Sequence, residues 1–257
     1  MGLEGLLNRR APELHGIVNG IDVDVWNPQT DSSIARTYGA GDTKARLENK
    51  RAVEAHFGLI EDDGPLFCVI SRLTWQKGMD MLAEVADEIF HWGGRLIVHG
   101  QGDHDIEDAL KATAARFPGR MAVSIGFNEP TAHLIHGGSD AIIQPSRFEP
   151  CGLTQLYGLR YGCVPVVSRT GGLSETIIDA NDAAISARAA TGFQFHPVRP
   201  EGLRHAIRRA AEAYGDKRKW ARLQLQAMRA DYSWDRSAES YAEVYGRLTE
   251  AAVELRH

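Results

Sequence analysis

Residues 66–78 have the sequence LFCVISRLTWQKG, in which five apolar residues are followed by a polar turn and a glycine. The run Leu66–Ile70 is continuously apolar, as expected of a strand that is buried on both faces of a parallel sheet. A helical pattern begins at Gly78, so Arg72 and Lys77 lie in a strand-to-helix junction. A forked guanidinium and a compact ammonium at such a junction can together hold phosphate oxygens. The segment therefore predicts a strand, an anion-binding turn and a helix in succession.

The same succession of elements recurs from residue 62 to about residue 181. Apolar runs predict strands at residues 66–70, 95–99, 121–125, 141–144 and 164–167. Helical patterns lie between them, near residues 79–91, 106–117, 129–136 and 153–161. Such alternation implies βαβ units with right-handed crossovers and helices on both faces of the sheet. The predicted fold class is α/β, a doubly wound parallel Rossmann-like sheet, whose ligands bind at the carboxyl ends of its strands.

Further helical patterns flank the predicted sheet, near residues 42–57, 201–214, 216–230 and 234–254. In the first of them, four apolar residues are expected to dock onto the sheet: Leu47, Val53, Ala55 and Phe57.

A second polar run follows the fourth predicted strand. Residues 149–155, EPCGLTQ, begin 72 residues after Lys77 and immediately precede a helical pattern. Glu149 therefore lies at the carboxyl end of its strand, as Arg72 and Lys77 do. Two such junctions on one sheet predict a cleft for a ligand with a phosphorylated part and a hydroxyl-rich part.

Composition excludes several classes of function. The 257 residues are 43% hydrophobic and 25% charged, with a net charge of −5 and no basic tail, so nucleic acid is not an expected partner. No stretch approaches the roughly 20 apolar residues that span a bilayer. Three cysteines form neither a disulfide framework nor a metal-ligand pattern, and an odd number of them is typical of a reducing cytoplasm. The ten histidines are scattered, and His99, His104, His133 and His136 are expected to be structural or surface residues.

The two polar runs together resemble the bacterial glycogen synthases and plant starch synthases, which are retaining glucosyltransferases of the two-domain GT-B architecture. The resemblance extends to residues 19–22 (NGID), 26–28 (WNP), 169–173 (RTGGL) and 232–234 (YSW), in the family's order, and covers essentially the whole chain. It implies the C-terminal half of a GT-B glycosyltransferase with extra C-terminal helices. Members of the family also have an N-terminal domain with a Lys-x-Gly-Gly-Leu loop, and this sequence contains no such segment.

The resemblance also implies three parts of the chain. Residues 1–30 would be the tail of the missing N-terminal domain and the hinge, and residues 31–231 the Rossmann-like nucleotide-sugar-binding domain. Residues 232–257 would form a helix that crosses to the missing domain. Its apolar stripe, Tyr241, Val244 and Leu248, is expected to be partly exposed without that partner.

Roles for single residues follow from the resemblance. Arg72 and Lys77 would bind the diphosphate of ADP-glucose and stabilise the departing ADP, so no metal and no cofactor is expected. Glu149 would hydrogen-bond the sugar and support positive charge at the anomeric carbon, as a nucleophile or as an electrostatic stabiliser. Phe127 would stack on adenine. The full set of expected substrate-binding residues is Asn19, Gln76, Phe127, Cys151, Gly152, Leu153 and Thr154.

Each of these residues also has a structural interpretation. Arg72 and Lys77 could be a surface pair, and Glu149 a charge at a helix N-terminus. Phe127 could be a core residue, and Asn19 part of a plain Asn-Gly turn.

Three functions are compatible with the sequence. The leading hypothesis is a glycogen (starch) synthase that transfers glucose from ADP-glucose to the non-reducing end of an α-1,4-glucan. The second is another GT-B glycosyltransferase, but related families carry a ribose-binding Glu eight residues after the first Glu, where this sequence has Tyr157. The third is a catalytically incomplete nucleotide-sugar-binding fragment, favoured by the missing N-terminal domain. In each case the isolated chain is expected to be inactive and cytoplasmic.

Overall fold

The computed structural model describes residues 2–254, with side chains described up to residue 249. The chain divides into two compact units. The larger unit is Val23–Ala230, and the smaller one combines the residues up to Asp22 with those from Asp231 onward. The roles predicted for the two ends, as parts of or contacts to an N-terminal domain, stay predictions.

The larger unit contains a six-stranded sheet in the order β3-β2-β1-β4-β5-β6, with every neighbouring pair parallel. The strands are β1 (Leu66–Ile70), β2 (Arg95–Gly100), β3 (Met121–Ile125), β4 (Ala141–Gln144), β5 (Val164–Ser168) and β6 (Phe193–Phe195). The helices of this unit are α2 (Arg46–Phe57), α3 (Met79–His91), α4 (His104–Arg116), α5 (Glu129–Gly138), α6 (Thr154–Tyr161), α7 (Gly171–Thr176), α8 (Asp182–Ser186), α9 (Pro200–Gly215) and α10 (Lys217–Arg229). The smaller unit contains α1 (Glu4–Arg9) and α11 (Trp234–Glu254).

The predicted α/β fold is confirmed, and five strands lie where the apolar runs predict them. Every residue of β1, β2, β4 and β5 is buried, because helices cover both faces of the sheet. The sixth strand, β6, is not predicted from the sequence, since three residues are too few to show a period. It pairs with β5 and buries Phe193 and Phe195.

The strand order places the crevice of the sheet between β1 and β4. The chain builds the sheet from β1 to β3 and then returns to place β4 on the other side of β1. The loops after β1 and β4 therefore leave neighbouring strands at the same edge of the sheet. A reversal of this kind is where doubly wound sheets bind their ligands.

Two apolar clusters form the core, one on each face of the sheet. Along β1, Phe67 and Val69 belong to the first cluster, whereas Leu66, Cys68 and Ile70 belong to the second. This alternation follows from the period of two along a strand. The first cluster includes α3 and α9, and the second includes α5 and α6.

The helix α2 does not dock through the apolar residues that its sequence suggests. Leu47 is 55% exposed and Ala55 is also exposed, so the prediction that they pack on the sheet is wrong. Of the four apolar residues, Val53 is completely buried and Phe57 is partly buried.

Hydrogen bonds and ion pairs of buried polar side chains hold α2 in place instead. The guanidinium of Arg46 donates to the carbonyls of Ser139 and Tyr161, which lie at the C-terminal ends of α5 and α6. Carbonyls at a helix C-terminus have no partner within the helix and favour a cation. The Nζ of Lys50 lies 2.7 Å from Oδ2 of Asp140, and both side chains are nearly buried. The helix is therefore held by ion pairs and helix-end hydrogen bonds that its own periodicity does not reveal.

In the smaller unit, the Asn-Gly turn packs against the start of α11. A Cβ on Gly20 would come within 2.5 Å of the backbone of Trp234, so this close approach requires glycine. The N–H of Ile21 donates to the carbonyl of Tyr232 over 2.8 Å. On α11, Tyr241 and Leu248 are exposed, as the stripe predicts. Among the described residues, no helix combines the length and the apolar character that crossing a bilayer would need.

Candidate active site

The loop after β1 carries the two predicted phosphate ligands. Arg72 is exposed, and its Nη2 lies 3.5 Å from Oε1 of Gln76. Lys77 ends a short 3₁₀ turn and is followed by Gly78, whose φ of 72° lies in the left-handed region that favours glycine. A Cβ on Gly78 would come within 2.1 Å of the carbonyl oxygen of Pro145. Glycine is therefore required for this loop to touch the segment that follows β4.

Several contacts join this loop to the loop after β4. The N–H of Arg147 donates to the carbonyl of Gln76 over 2.9 Å. The Nε2 of Gln76 donates to the carbonyl of Phe148 over 3.4 Å. The ammonium of Lys77 contacts Oε2 of Glu149. The structure thus brings Gln76, Lys77 and Glu149 together across 72 residues of sequence.

Glu149 is buried and held from several directions. Its Oε2 also accepts a hydrogen bond from the hydroxyl of Ser146 at 3.3 Å, and its carbonyl accepts one from the N–H of Gly172 at 3.1 Å. Gly171 has a φ of 42°, and a Cβ there would come within 2.1 Å of the same carbonyl. The helix α6 begins at Thr154, five residues further on, so Glu149 is not a first-turn residue of that helix. The interpretation of Glu149 as a plain helix-terminal charge is therefore wrong.

The residues between Glu149 and α6 form a turn that a buried glutamine holds. The Nε2 of Gln155 donates to the carbonyls of Cys151 and Gly152 over 3.0 and 2.8 Å. These two carbonyls are therefore directed to the inside of the turn. The N–H groups at the start of a helix, here around Leu153 and Thr154, have no intrahelical partner and can bind an anion.

An open cleft with a volume of about 350 Å³ lies beside these two loops. Three of the predicted ligand-binding residues line it: Arg72, Phe127 and Thr154. Phe127 is 73% exposed, so its interpretation as a core residue is wrong. Lys77 and Glu149 lie on the loops that border the cleft. The other lining residues are Trp26, Ile70, Ser71, His99, Gly100, Gln101, Glu129, Ala132, His136 and Tyr157.

Stacked rings form one wall of the cleft. The ring of Trp26 lies between those of His133 and Tyr157, with centroid distances of 3.9 and 3.7 Å and interplanar angles of 13° and 12°. The Nδ1 of His133 lies 2.8 Å from Oδ2 of Asp31, which also accepts a hydrogen bond from the hydroxyl of Tyr161. His133 is thus a structural residue, as predicted.

Two further histidines line the cleft, and burial disfavours the charged form of both. Burial lowers the pKa of His136 to about 3. Burial also lowers the pKa of His99, whose Nδ1 lies 3.2 Å from the hydroxyl of Ser124 and whose Nε2 accepts a hydrogen bond from the N–H of Asn128 at 3.3 Å. His99 and His136 are buried, in agreement with the expectation that they are structural or surface residues, and both also border the cleft.

Two predictions concern features outside this geometry. Asn19 lies in the smaller unit, so its place at the site stays a prediction. Within residues 2–254, no group of three or more acidic, histidine or cysteine side chains is placed to hold a metal ion. That the reaction uses no metal and no cofactor also stays a prediction.

Comparison with known proteins identifies the family. The family model described as glycosyl transferases group 1 matches residues 51–223. The chain belongs to the glycosyl transferases group 1 family.

Relatives and solved structures of this glycosyltransferase chain agree with the resemblance of its motifs. It is 60% identical over 248 residues to the glycogen synthase of Rhizobium rhizogenes, a match that covers 96% of this chain and 52% of the relative. It is 57% identical over 253 residues to the glycogen synthase of Mesorhizobium japonicum, covering 98% and 53% of the two chains. The catalytic domain of starch synthase IV from Arabidopsis thaliana, solved with ADP and acarbose, is 34% identical with a TM-score of 0.89. That match covers 96% of this chain and 51% of the plant enzyme.

The resemblance to bacterial glycogen synthases and plant starch synthases is thereby confirmed. The glycosyltransferase chain spans about half the length of the curated relatives that it matches. A sucrose-phosphate synthase from Thermosynechococcus elongatus, 18% identical with a TM-score of 0.63 over 96% of this chain and 56% of its own, shares the fold alone.

Sequence reasoning missed two residues that hold the site of this glycosyltransferase. Gln155 holds the turn before α6, and Arg147 joins both loops. Gln155 follows the predicted site residue Thr154, and Arg147 lies two residues before Glu149. Their positions beside predicted site residues could have suggested a supporting role, but the sequence does not say which groups they contact.

Proposed function

We propose that this chain is the nucleotide-sugar-binding half of a glycogen synthase, which transfers glucose from ADP-glucose to the non-reducing 4-hydroxyl of an α-1,4-glucan with retention. The observation that carries the proposal is the convergence of two cations and one buried carboxylate at the crevice between β1 and β4. Arg72 and Lys77 come from one loop and Glu149 from the other. The identity to bacterial glycogen synthases supports this assignment.

Arg72 and Lys77 would bind the diphosphate. The ammonium of Lys77 has three N–H donors, and its contact with Glu149 uses one of them. Two donors are left for phosphate oxygens, beside the fork of Arg72 and the N-terminus of α6. When the bond between C1 of glucose and the phosphate oxygen breaks, ADP leaves with that bond's electron pair. Fixed cations stabilise this developing charge most strongly in the transition state, so no metal ion is needed.

Glu149 would act on the sugar. A carboxylate next to the anomeric carbon stabilises the positive charge that develops as the C1–O bond breaks. The new bond forms between C1 and the 4-hydroxyl oxygen of the glucan, and the hydroxyl proton leaves with the departing phosphate or to solvent. Lys77, Ser146 and Gly172 hold the carboxylate and its backbone in one position, which avoids reorganisation during the reaction.

The cleft beside the loops would take the nucleoside. Phe127 offers an exposed ring face on which adenine can stack. Burial lowers the pKa of His99 and His136 and so disfavours their charged forms, which suits an uncharged base and ribose. The negatively charged part of the ligand would lie at Arg72 and Thr154, which also line the cleft.

A second candidate function of these 257 residues is nucleotide-sugar binding without glucose transfer. The groups brought together at the crevice are those proposed for the nucleotide sugar rather than for the glucan, and the glycogen synthases that the chain matches are about twice as long. The acceptor groove and the closure that orients the reactants would then come from the N-terminal half. We expect the purified 257 residues to bind ADP and to transfer no labelled glucose to glycogen, and activity to return when an N-terminal half from a close relative is added. Full activity of the isolated chain would refute the second candidate.

A reducing compartment such as the cytoplasm is also proposed. The thiols of Cys68 and Cys163 are buried 3.9 Å apart without a disulfide between them. Cytosolic proteins keep such thiols reduced.

Calorimetric titration of the chain with ADP, UDP and GDP tests the proposal directly. ADP is expected to bind most tightly, and Arg72→Ala is expected to weaken its binding by about 1.5–3 kcal/mol, the value of a charge-assisted hydrogen bond. Arg116→Ala is a matched control, because Arg116 is an exposed arginine on α4 that pairs with Asp87. Tighter binding of UDP than of ADP, or equal effects of the two arginine substitutions, would contradict the proposal.

A further inference from the structure

The guanidinium of Arg147, on the loop after β4, contacts both the loop after β1 and the first turn of α3. The Nη1 and Nη2 of Arg147 lie 2.7 Å from Oδ1 and Oδ2 of Asp80, in a bidentate pair. The Nη1 of Arg147 also donates to the carbonyl of Trp75, and the guanidinium lies 4.3 Å from the centroid of the Trp75 ring. We call Arg147, Asp80 and Trp75 the clamp.

The residues of the clamp that belong to the first segment lie on either side of Lys77 in sequence. Trp75 lies two residues before Lys77, and Asp80 lies three residues after it in the first turn of α3. Arg147 lies two residues before Glu149, the residue that Lys77 contacts. The backbone N–H of Arg147 adds a further hydrogen bond, to the residue before Lys77. Contacts from Arg147 therefore hold the segment that carries Lys77 both before and after that residue.

Stability of the fold explains only part of this arrangement. The side chains of Arg147 and Asp80 are 21% and 40% exposed, and Trp75 is also exposed. Ion pairs with this degree of exposure contribute modestly to folding, because solvent screens the charges and the side chains lose conformational freedom, although a bidentate geometry raises the contribution. A planar fork that satisfies a carboxylate, a carbonyl and a ring face does, however, fix geometry well.

We propose that Arg147 is a positioning residue that acts through Lys77. The clamp holds the ammonium of Lys77 at the place where the diphosphate of the nucleotide binds, beside Glu149. The inference rests on the proposed nucleotide binding at Lys77.

The sign of one substitution separates this proposal from simple electrostatics. Asp80→Asn removes a negative charge close to the proposed diphosphate site. Electrostatics alone predicts tighter binding of ADP, because an anion would lose a repulsive neighbour. The clamp predicts the opposite, because Arg147 loses its bidentate partner and Lys77 loses its fixed position. We expect Asp80→Asn to weaken ADP binding about three- to tenfold.

A second variant keeps the charge of the arginine and removes only its geometry. Arg147→Lys retains a cation near the phosphates but cannot form the bidentate pair or stack its plane on Trp75. The same three- to tenfold loss of ADP affinity is expected. Asp87→Asn is the control, because Asp87 is an acidic residue of the same helix that pairs with Arg116 and has no contact with the clamp.

The experiment is a double-mutant cycle on ADP binding to the 257-residue chain. Calorimetry measures each affinity, at a temperature where thermal unfolding shows that every variant is folded. Lys77→Ala should weaken binding about tenfold or more. In that background, Arg147→Lys and Asp80→Asn should have almost no further effect, because their contribution acts through the missing ammonium.

The possible outcomes are distinct. Additive effects of Arg147→Lys and Lys77→Ala would overturn the inference, and so would unchanged or tighter ADP binding by Asp80→Asn. Equal losses from Asp80→Asn and Asp87→Asn would overturn it as well. If Lys77→Ala itself leaves ADP affinity unchanged, the proposed phosphate contact fails and the inference fails with it. Weaker binding in the clamp variants that disappears in the Lys77→Ala background supports it.

Discussion

Replacing Gly78 by alanine would test whether the two loops must touch for the nucleotide to bind. Gly78 has a φ of 72°, and a Cβ would come within 2.1 Å of the carbonyl oxygen of Pro145. Two costs therefore add in the Gly78→Ala variant. A side chain in the left-handed region costs about 1–2 kcal/mol. Relief of the clash costs more, because the contact must lengthen to about 3.5 Å, which displaces one loop by more than about 1 Å.

Gly58 provides a matched control for the first cost alone. It ends α2 with a φ of 65°, and a Cβ there would meet no heavy atom within 4 Å. Gly58→Ala should therefore lower the free energy of unfolding by about 1–2 kcal/mol and leave ADP binding unchanged. Gly78→Ala should lower the free energy of unfolding by about 1–3 kcal/mol more than Gly58→Ala does, because its Cβ overpacks the contact between the loops. For a unit of this size, that difference corresponds to a midpoint of thermal unfolding lower by about 2–12 °C.

Binding is the more informative measurement. The displaced loop carries Arg72 and Lys77, so Gly78→Ala should also weaken ADP binding about tenfold or more, through misplaced charge-assisted contacts. Thermal unfolding followed by circular dichroism and calorimetry with ADP would give both quantities. Equal midpoints for the Gly78→Ala and Gly58→Ala variants, with parental ADP affinity in both, would refute the argument that the loops need this close approach.

Three other predictions follow from the site. In a full-length synthase with these residues, Glu149→Gln should lower turnover about a hundredfold or more while ADP affinity changes little, since a carboxylate at the anomeric carbon acts mainly in the transition state; equal turnover of variant and parent would remove Glu149 from the chemistry. Phe127→Ala should weaken ADP binding by about 1–3 kcal/mol in calorimetry, as loss of a stacked aromatic does, whereas Trp92→Ala, which removes an exposed aromatic at the end of α3, should have no effect. His136 has its pKa lowered to about 3 by burial, so the folded state resists its protonation and loses stability as the pH falls below the unfolded value of about 6.5. We expect the free energy of unfolding to fall between pH 7.5 and pH 4.5 by about 2–3 kcal/mol less in His136→Phe than in the parent, as denaturant unfolding would measure. Equal falls in the two proteins would contradict the buried neutral state.

The sequence predicts the central part of the fold well, because parallel strands that are buried on both faces leave a clear pattern. Each of the five apolar runs became a strand, and α3 has the predicted bounds, Met79–His91. The site follows from the same pattern. If strands end where the apolar runs end, Arg72 and Glu149 must lie at one edge of the sheet.

Other features depend on contacts between distant segments, and no local pattern announces them. The buried polar face of α2 exists because Arg46 reaches the ends of α5 and α6, 93 and 115 residues away. The strand β6 is defined by its pairing with β5 rather than by its own three residues. Arg147 lies two residues before Glu149 in sequence. Its bidentate pair with Asp80, 67 residues earlier, is visible only in the three-dimensional structure. Periodicity reports which face of an element is apolar, and it does not report which polar groups a neighbour will satisfy.

The fit of Gly78 against Pro145 has a consequence for recombination between members of this family. A single crossover anywhere between these two residues would combine the first loop of one parent with the second loop of the other. Such chimeras would take the cations from one parent and the carboxylate from the other. The two loops would then fit together only by chance. Exchange of an internal block such as β2 to β3, Arg95 to Ile125, leaves both loops with one parent. The heritable module of this site is therefore a pair of segments that are neighbours in space and far apart in the gene.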